Sequence, residues 1–313
     1  MSIDPQMQAI LDLRSGLPPI HTLSVQEARA RLKAPRPAGL QVAEVAIVAD
    51  RTIPGPGGPL RLRVYTPYGT GPFPLLVFFH GGGCVIGDLD THDPVCRNLC
   101  AGASCVVASV DYRLAPEHRF PAAPDDCLAA TRWAAEHAAE LDANPARIAV
   151  GGDSAGGTLA AVTALRMRDE GGPRLAGQLL VYPSGDLGLP ATPSLAAYGE
   201  GPGLTAKDAE WLWGLYLGDP AAARHPHASP AHAPDLHGLP RALVITAECD
   251  PLRDEGEEFA GRLREAGVPT VVSRYDGVTH GFFLLTGLVG KADAALKEAC
   301  AWLRGAFADA EAR

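Results

Sequence analysis

From Leu75 to the C-terminus, short apolar runs alternate with segments that have helical spacing. The apolar runs are Leu75–Phe79, Cys105–Val110, Ile148–Val150, Gln178–Tyr182, Ala242–Ala247 and Thr270–Tyr275, and Lys291–Phe307 would be the closing helix. Parallel strands that are covered by helices on both faces consist of continuous apolar residues. The pattern therefore predicts an α/β fold with a mostly parallel central sheet and helices on both faces.

The N-terminal part of the chain has a different pattern. Asp4–Leu17 and Ser24–Leu32 have helical spacing, and the second begins with a capping box. Val42–Val48 and Leu60–Tyr65 alternate between apolar and polar residues, and the turn-like stretch Pro54–Gly58 lies between them. The residues that separate the helices from these strands are Pro35, Pro37 and Gly39. Two helices and an antiparallel strand pair are therefore predicted ahead of the parallel strands.

Composition and charge exclude several classes of protein. The chain has 27 Lys and Arg against 36 Asp and Glu, a net charge of −9, so nucleic acid is not expected as a partner. No apolar stretch approaches the roughly 18 residues of a membrane span, and the N-terminus lacks the basic and apolar regions of a signal peptide. We therefore expect a soluble, cytoplasmic protein with no membrane partner.

The seven cysteines are scattered and include no C-x-x-C pair. This distribution favours free buried thiols over a disulfide framework or a zinc site.

A long segment separates Tyr182 from Ala242. It contains a predicted loop, Pro190–Gly203, and a helix that begins at the Thr205 cap. The large side chains of this helix are Trp211, Trp213, Leu215 and Tyr216. An insertion of this length after a strand is typical of a lid or binding loop. Its aromatic residues either pack the helix onto the body or form a substrate wall, and both interpretations stay open.

A sharp strand-to-helix turn is predicted at Gly152-Asp153-Ser154-Ala155-Gly156, a G-x-S-x-G pattern. A serine on such a turn has strained backbone angles, and its neighbours must be small because the strand and the helix pass close together. The turn would hold the Ser154 hydroxyl at the positive end of the following helix. Ser154 is therefore the candidate nucleophile.

A second glycine-rich motif, HGGG, follows the apolar run that ends at Phe79. Consecutive glycines let backbone N–H groups turn toward one point, and together with the Ala155 N–H they would form an oxyanion hole. We interpret His80 of this motif as a residue that anchors the loop rather than as a general base.

A serine nucleophile needs a base and an acid, which follow it in the chain in the α/β-hydrolase pattern that the turn suggests. The downstream histidines are His225, His227, His232, His237 and His280. The first four occupy a Pro-rich stretch that is typical of a surface loop, and their spacing matches a metal site only loosely. His280 follows the last predicted strand, where it would face the serine. His280 is therefore the candidate base.

Asp250, which follows the strand Ala242–Ala247, is the favoured acid. Asp254 is a competitor, but with Glu257 it has capping-box spacing at the start of a predicted helix, Asp254–Ala266. Glu248 is a second competitor that spacing does not remove.

Five motifs occur in one order and spacing: HGGGCVIGDLDTHD, DYRLAPEHRFPAA, GGDSAGG, AECDPLRDEG and HGFF. From about Val42 to the C-terminus the chain resembles the hormone-sensitive-lipase-like branch of the α/β-hydrolase esterases, and its bacterial members with a GDSAGG turn. The resemblance implies an α/β-hydrolase fold with a cap built from the N-terminal helices and the inserted segment. It also implies a homodimer made through the last strand. Cys84 departs from the family, in which an aromatic residue commonly follows the glycines.

For the site, the resemblance implies Ser154 as nucleophile, with Asp250 and His280 as its partners. The oxyanion donors that it implies are Gly81, Gly82 and Ala155. It implies no metal ion and no organic cofactor. The expected division is 1–45 for the N-terminal part of the cap, 46–184 and 226–313 for the two parts of the catalytic domain, and 185–225 for the inserted cap segment.

These observations predict a serine carboxylesterase that acts on a small-molecule ester through a Ser-His-Asp triad and an acyl-enzyme. A closed pocket beneath Trp211, Trp213 and Tyr216 favours short acyl groups. An amidase or a lactonase would use the same residues. A non-catalytic binder of small molecules is a weaker alternative, because all three triad candidates are present.

Overall fold

The computed structural model describes residues 2–34 and 37–311, so Pro35 of the predicted break lies outside the described residues. Its strands are β1 (Ile47–Gly55), β2 (Gly58–Thr66), β3 (Phe73–Phe79), β4 (Val106–Asp111), β5 (Ala143–Asp153), β6 (Gly177–Val181), β7 (Ala242–Cys249) and β8 (Thr270–Thr279). They form one eight-stranded sheet in the order β1-β2-β4-β3-β5-β6-β7-β8. β2 is antiparallel to both of its neighbours and the other pairs are parallel. The predicted α/β fold with an antiparallel opening pair is confirmed.

The first strand lies later in the sequence than its alternation predicts. β1 begins at Ile47 and includes Pro54, so the predicted strand Val42–Val48 is wrong over most of its length. In that segment the N–H of Ala43 donates to Oδ1 of Asn98 at 2.8 Å, which ties the chain to a helix rather than to the sheet. Alternation of side chains does not specify which backbone groups pair, and here the pairing is decided elsewhere.

The α-helices of the described residues are α1 (Pro5–Arg14), α2 (Val25–Leu32), α3 (Asp93–Ala103), α4 (Ala122–Glu136), α5 (Ala155–Asp169), α6 (Pro193–Tyr198), α7 (Ala206–Leu217), α8 (Arg253–Glu265) and α9 (Gly290–Glu311). Capping boxes begin α2 at Ser24 and α7 at Thr205, as predicted. The short helix α6 lies inside the predicted loop. Thr192 caps it and accepts the N–H of Leu195, and Pro193 occupies its first turn, where a missing N–H has no cost.

The parallel strands are buried on both faces. Along β3, the side chains of Leu75, Val77 and Phe79 join a core cluster with α4, α5 and α8. Leu76 and Phe78 point to the opposite face and join a second cluster with α3 and α9. Because successive side chains of a strand alternate between faces, a continuous apolar run fills both clusters at once.

All seven cysteines lie within the described residues, and each is a buried free thiol, as predicted. Across the described ranges, no helix is both long and apolar enough to cross a membrane.

The site candidates stand directly after the carboxyl ends of strands. His80 follows β3, Ser154 follows β5, Asp250 follows β7 and His280 follows β8. Ligands of open α/β sheets bind in the crevice outside these strand ends. The sheet therefore brings residues from four distant parts of the sequence together at one edge.

Candidate active site

The turn that carries Ser154 is strained and tightly packed. Ser154 has φ 54° and ψ −124°, a conformation that non-glycine residues seldom adopt. Its N–H donates to the carbonyl of Val181 at 2.8 Å. A Cβ on either Gly152 or Gly156 would collide with the carbonyl oxygen of Phe79, so no larger residue fits there. Because α5 begins at the next residue, Ser154 lies at the positive end of its dipole.

The predicted base and acid form a hydrogen-bonded series with Ser154. Nε2 of His280 lies 2.8 Å from Oγ of Ser154, and Nδ1 of His280 lies 2.7 Å from Oδ2 of Asp250. Asp250 is fully buried, and its Oδ1 accepts the N–H of Leu252 at 2.9 Å. Since an ionised carboxylate only accepts, this network assigns the imidazole proton to Nδ1 and leaves Nε2 to accept the serine hydroxyl.

The two competing acids have other partners. Oε2 of Glu248 accepts the N–H of Gly277 at 2.7 Å. Oδ2 of Asp254 accepts the N–H of Ser194 at 2.7 Å and so satisfies a backbone donor at the start of α6. Both carboxylates therefore accept backbone N–H groups, whereas the carboxylate that contacts His280 is that of Asp250.

The predicted capping box of Asp254 with Glu257 is wrong. The N-cap of α8 is Leu252, which makes no side-chain capping bond, and the helix starts one residue earlier than predicted. Asp254 thus lies within the first turn, where its charge favours the helix dipole. The carboxylate of Glu257 instead accepts the hydroxyl of Thr246 at 2.8 Å and pairs with Arg274.

The glycine loop after β3 presents backbone N–H groups to the site. Gly82 (φ 114°) and Gly83 (φ 63°) have left-handed backbone conformations that favour glycine. Within residues 2–34 and 37–311, no acceptor takes the N–H of Gly82, Gly83 or Ala155. The N–H of Gly81, in contrast, donates to Oδ1 of Asp153 at 3.0 Å. The prediction of Gly81 as an oxyanion donor is therefore wrong, and Gly83 becomes the candidate beside Gly82 and Ala155.

His80 anchors this loop, as predicted. Its ring is fully buried and stacks on Tyr112 with 4.2 Å between ring centroids. The Tyr112 hydroxyl donates to the carbonyl of His80 at 2.7 Å. Burial, together with the neighbouring His92, lowers the pKa of His80 to about 4, so this imidazole is neutral near pH 7.

A cavity of about 190 Å³ lies beside Ser154 and His280. Most of the side chains that line it are apolar, and they come from the glycine loop, α5, α7 and the loops between strands. Trp213 and Tyr216 of α7 line the cavity and are also buried members of the core cluster, whereas Trp211 packs against that cluster and does not line the cavity. The three aromatic side chains therefore pack the helix onto the body, and a role as a substrate wall stays a prediction for Trp213 and Tyr216.

Cys84 stands in the cavity wall next to the glycine loop. Burial raises the pKa of its thiol to about 12, so it stays protonated. A small apolar side chain thus occupies the position where an aromatic residue is common in the family.

The histidines of the Pro-rich stretch have separate environments. Nε2 of His232 lies 3.0 Å from Oδ2 of Asp186, and Nδ1 of His237 lies 2.7 Å from Oδ1 of Asp235. His227 instead lines the cavity, where burial lowers the pKa of its imidazole. In the described part of the chain, no three His, Cys, Asp or Glu side chains form a group that could hold a metal ion.

The segment between α1 and α2 contacts the inserted segment beside the cavity. Oδ1 of Asp208 accepts the backbone N–H of His21 at 3.1 Å and lies 2.7 Å from its Nδ1. Ile20 and Leu32 of the N-terminal segment line the same cavity as α7. Two segments that are far apart in sequence therefore share its walls.

Sequence reasoning missed Gly83, His92 and Tyr182. Gly83 is part of the HGGG motif, and only the hydrogen bond of Gly81 identifies it. The ring of Tyr182 lies 4.6 Å from that of His280, and its position at the end of an apolar run could have pointed to it. His92 lies under the glycine loop, 3.2 Å from Oδ1 of Asp153, and no local pattern signals that contact.

Comparison with known proteins relates the chain to esterases. A family described as alpha/beta hydrolase fold matches residues 76–284. The carboxylic ester hydrolase LipN of Mycobacterium tuberculosis is 48% identical over 263 residues, which cover 82% of this chain and 70% of LipN. The ethyl acetate hydrolase of Pseudomonas putida is 37% identical over 311 residues, which cover 95% of this chain and 96% of that protein. The solved structure of a hyperthermophilic esterase from the archaeon Pyrobaculum calidifontis superposes with a TM-score of 0.93 at 42% identity, covering 97% of this chain and 99% of that one.

Proposed function

We propose that this chain, a carboxylic ester hydrolase of the hormone-sensitive-lipase-like branch of the α/β-hydrolase family, hydrolyses short-acyl esters. In this proposal Ser154 is the nucleophile, His280 is the base and Asp250 is the acid that orients His280. The observation that carries this proposal is the series Asp250–His280–Ser154, with contacts of 2.7 and 2.8 Å. A nucleophile, a base and an orienting carboxylate at these distances are the geometric requirement of the triad.

In the first half-reaction Oγ of Ser154 attacks the ester carbonyl carbon while Nε2 of His280 takes the hydroxyl proton. The carbonyl electron pair moves onto oxygen, and the N–H groups of Gly82, Gly83 and Ala155 stabilise that oxyanion. As the tetrahedral intermediate collapses, the C–O bond to the alcohol breaks and the imidazolium protonates the leaving oxygen. The buried carboxylate of Asp250 stabilises the transient imidazolium.

In the second half-reaction a water molecule takes the place of the alcohol. His280 removes a proton from this water, whose oxygen bonds to the acyl carbon and gives a second oxyanion. The bond from that carbon to Oγ of Ser154 then breaks, His280 returns the proton to Oγ, and the carboxylic acid leaves.

The preference for short acyl groups is supported by the cavity of about 190 Å³ and by the closing side chains of Trp213 and Tyr216. The similarity to an ethyl acetate hydrolase, at 37% identity, points the same way. Each buried methylene contributes roughly 0.8 kcal/mol until the cavity is full. A longer chain must then displace packed side chains, which costs about 1–3 kcal/mol and reverses the trend.

Two measurements test this proposal. A fluorophosphonate probe should label the protein on the peptide that contains Ser154, and Ser154→Ala should abolish labelling and turnover while the protein stays folded. Labelling that survives this substitution would contradict the nucleophile. For the substrate, kcat/KM across p-nitrophenyl esters from acetate to palmitate should peak at the short end, and a value that still climbs at palmitate would refute the preference.

The homodimer through the last strand stays a prediction. β8 lies at one end of the strand order, and Val271 on it is 46% exposed, so this part of the strand is accessible to a second copy. Size-exclusion chromatography with light scattering should give twice the mass of the chain, and Val271→Lys should shift the protein toward monomer.

A further inference from the structure

We propose that Asp153 and His92 are positioning residues that hold the oxyanion loop in its catalytic geometry, with Asp153 connecting that loop to the nucleophile beside it. This inference rests on the proposed serine mechanism, since the loop matters only if Gly82 and Gly83 stabilise an oxyanion. It assigns a function to two buried polar residues that the triad itself does not use.

The contacts between these residues are direct. Oδ1 of Asp153 accepts the N–H of Gly81 at 3.0 Å, and Nε2 of His92 accepts the same N–H at 3.2 Å and lies 3.2 Å from that oxygen. Asp153 is 3% exposed and His92 is 2% exposed. A Cβ on Gly81 would meet the carboxylate of Asp153, so the loop lies directly on it. The glycine loop is therefore held at the N–H of Gly81 by these two buried side chains.

A proton count indicates how His92 contributes to this contact. The hydroxyl of Thr91 donates to the carbonyl of Asp88 at 2.8 Å, which uses its one proton. Nδ1 of His92, at 2.9 Å from that hydroxyl oxygen, must then carry a proton and donate. This tautomer leaves the lone pair of Nε2 to accept the Gly81 N–H at 3.2 Å, beside Oδ1 of Asp153. The Gly81 N–H is therefore held by two buried acceptors.

The electrostatics of Asp153 agree with its role as an acceptor. Burial by itself opposes ionisation, but the nearby imidazoles, chiefly that of His92, outweigh it and lower the pKa of this carboxyl group below its usual range. Asp153 and His92 lie in the wall of the same cavity as Ser154, where they hold the Gly81 N–H. The N–H groups of Gly82 and Gly83 have no acceptor among the described residues.

The loop geometry explains why this contact affects catalysis. With the N–H of Gly81 held by Asp153, the next two residues turn through left-handed conformations, at φ 114° and 63°. Their N–H groups then line the cavity with Ser154. Asp153 and Ser154 are adjacent in the chain. The same turn therefore positions the nucleophile and the carboxylate that holds the glycine loop. A shift of about 1 Å in such a group costs roughly a hundredfold in rate.

Three variants isolate this function. Asp153→Ala removes the acceptor for the Gly81 N–H, whereas Asp153→Asn keeps an amide oxygen at the same place. The matched control is Asp126→Ala, because Asp126 is also buried (1% exposed) and also accepts one backbone N–H, at 2.9 Å, and a cationic side chain, that of Arg113. Asp126 lies on α4 and its hydrogen bonds go to Arg113 rather than to the glycine loop, so its loss affects folding stability without removing the acceptor of the Gly81 N–H.

The readouts are kcat, KM and the inhibition constant of an alkyl trifluoromethyl ketone. The ketone forms a bond from its carbonyl carbon to Oγ of Ser154 and leaves an oxyanion in the same place as the tetrahedral intermediate. An interaction that acts on the transition state changes kcat and the affinity for this adduct together, with little change in KM. A residue that only stabilises the fold changes neither at a temperature where the variant is folded.

We expect Asp153→Ala to lower kcat about a hundredfold, the effect of losing one oxyanion donor, and to weaken the ketone in proportion. Asp153→Asn should keep kcat within about tenfold of the unmodified protein, and Asp126→Ala should lower the melting temperature with kcat unchanged. A folded Asp153→Ala protein with normal kcat and normal ketone affinity would overturn the inference. An equal loss of kcat in Asp126→Ala would also overturn the inference.

If Asp153→Ala does not fold, His92→Ala and His92→Gln form a second pair. The amide group of glutamine can still accept the Gly81 N–H beside Asp153, so His92→Gln should keep most of the turnover that His92→Ala loses, and equal turnover in the two would overturn the inference. Failure of the proposed function is recognised separately, because it would appear as absent fluorophosphonate labelling of Ser154 in the unmodified protein. Labelling with normal turnover in the Asp153 variants would leave the triad intact and reject only the positioning residues.

Discussion

The serine turn and the predicted cap, which consists of the N-terminal helices and the inserted segment, differ in how they are held in place. At the turn, Ser154 is fixed by a backbone hydrogen bond to Val181, and Gly156 packs so closely on β3 that no side chain fits. In the predicted cap, side chains make several of the connections: Asp208 contacts His21, and Nε of Arg29 donates to the carbonyl of Val85 at 2.9 Å. Backbone packing therefore fixes the serine turn, whereas side-chain contacts join the segments that line the pocket.

This difference predicts where substitutions act. Changes at strand ends should lower kcat, because they disturb interactions that strengthen in the transition state. Changes in the cap should alter acyl preference, KM or stability and leave the chemical step in place. The three substitutions below test this contrast, in order of decreasing effect.

Asp250→Asn should lower turnover by about ten-thousandfold, because an asparagine at this position favours the wrong tautomer of His280. Asp254→Asn is the matched control, since it removes the charge of a nearby carboxylate that serves the start of α6. It should cost at most about 1 kcal/mol of unfolding free energy, because an amide oxygen can still accept the Ser194 N–H, and it should leave kcat unchanged. Turnover is measured as kcat on p-nitrophenyl butyrate, and the unfolding free energy is measured by urea unfolding. Near-normal turnover in Asp250→Asn would remove Asp250 from the triad.

Trp213→Ala should move the optimum of acyl chain length upward by several carbons, because it removes a side chain that is 6% exposed and lines the cavity. The cavity that it leaves should cost about 3 kcal/mol of unfolding free energy. Trp211→Ala on the neighbouring face of α7 should leave the optimum where it is. The p-nitrophenyl ester series measures both variants, and equal shifts in the two would mean that the helix as a whole, rather than one face of it, closes the pocket.

His21→Ala should have the smallest effect, about 1 kcal/mol of unfolding free energy, because it removes one side-chain contact between the N-terminal segment and α7. Loosening of the two cap segments should raise KM severalfold at constant kcat. His237→Ala, which removes an exposed histidine paired with Asp235, is the control and should change neither quantity. A lower kcat in His21→Ala would show that the cap also positions the triad.

Local patterns in the sequence were sufficient for much of the fold and for the triad candidates. Continuous apolar runs mark the parallel strands because both faces of the sheet are covered, and Ser154, Asp250 and His280 were found because each stands beside the end of such a run. The helix caps at Ser24 and Thr205 could also be predicted from the sequence, since a cap depends on residues that are only three positions apart.

Only the tertiary structure decided the features that depend on contacts between distant segments. Alternation suggested a strand at Val42–Val48, but Ala43 bonds to Asn98 on a helix. Capping-box spacing at Asp254 suggested a cap for α8, but its carboxylate reaches Ser194, 60 residues away.

The glycine loop is the clearest case of this division. The sequence by itself determined that three consecutive glycines follow β3 beside a serine turn, because both motifs are local. It did not determine which glycines present free N–H groups, because three glycines in a row carry the same backbone chemistry. The choice was made by the carboxylate of Asp153, which lies 72 residues further along the chain and binds the N–H of Gly81. Hydrogen-bond partners of that kind are assigned by packing, since the free energy of an N–H group depends on which acceptor reaches it in the folded protein.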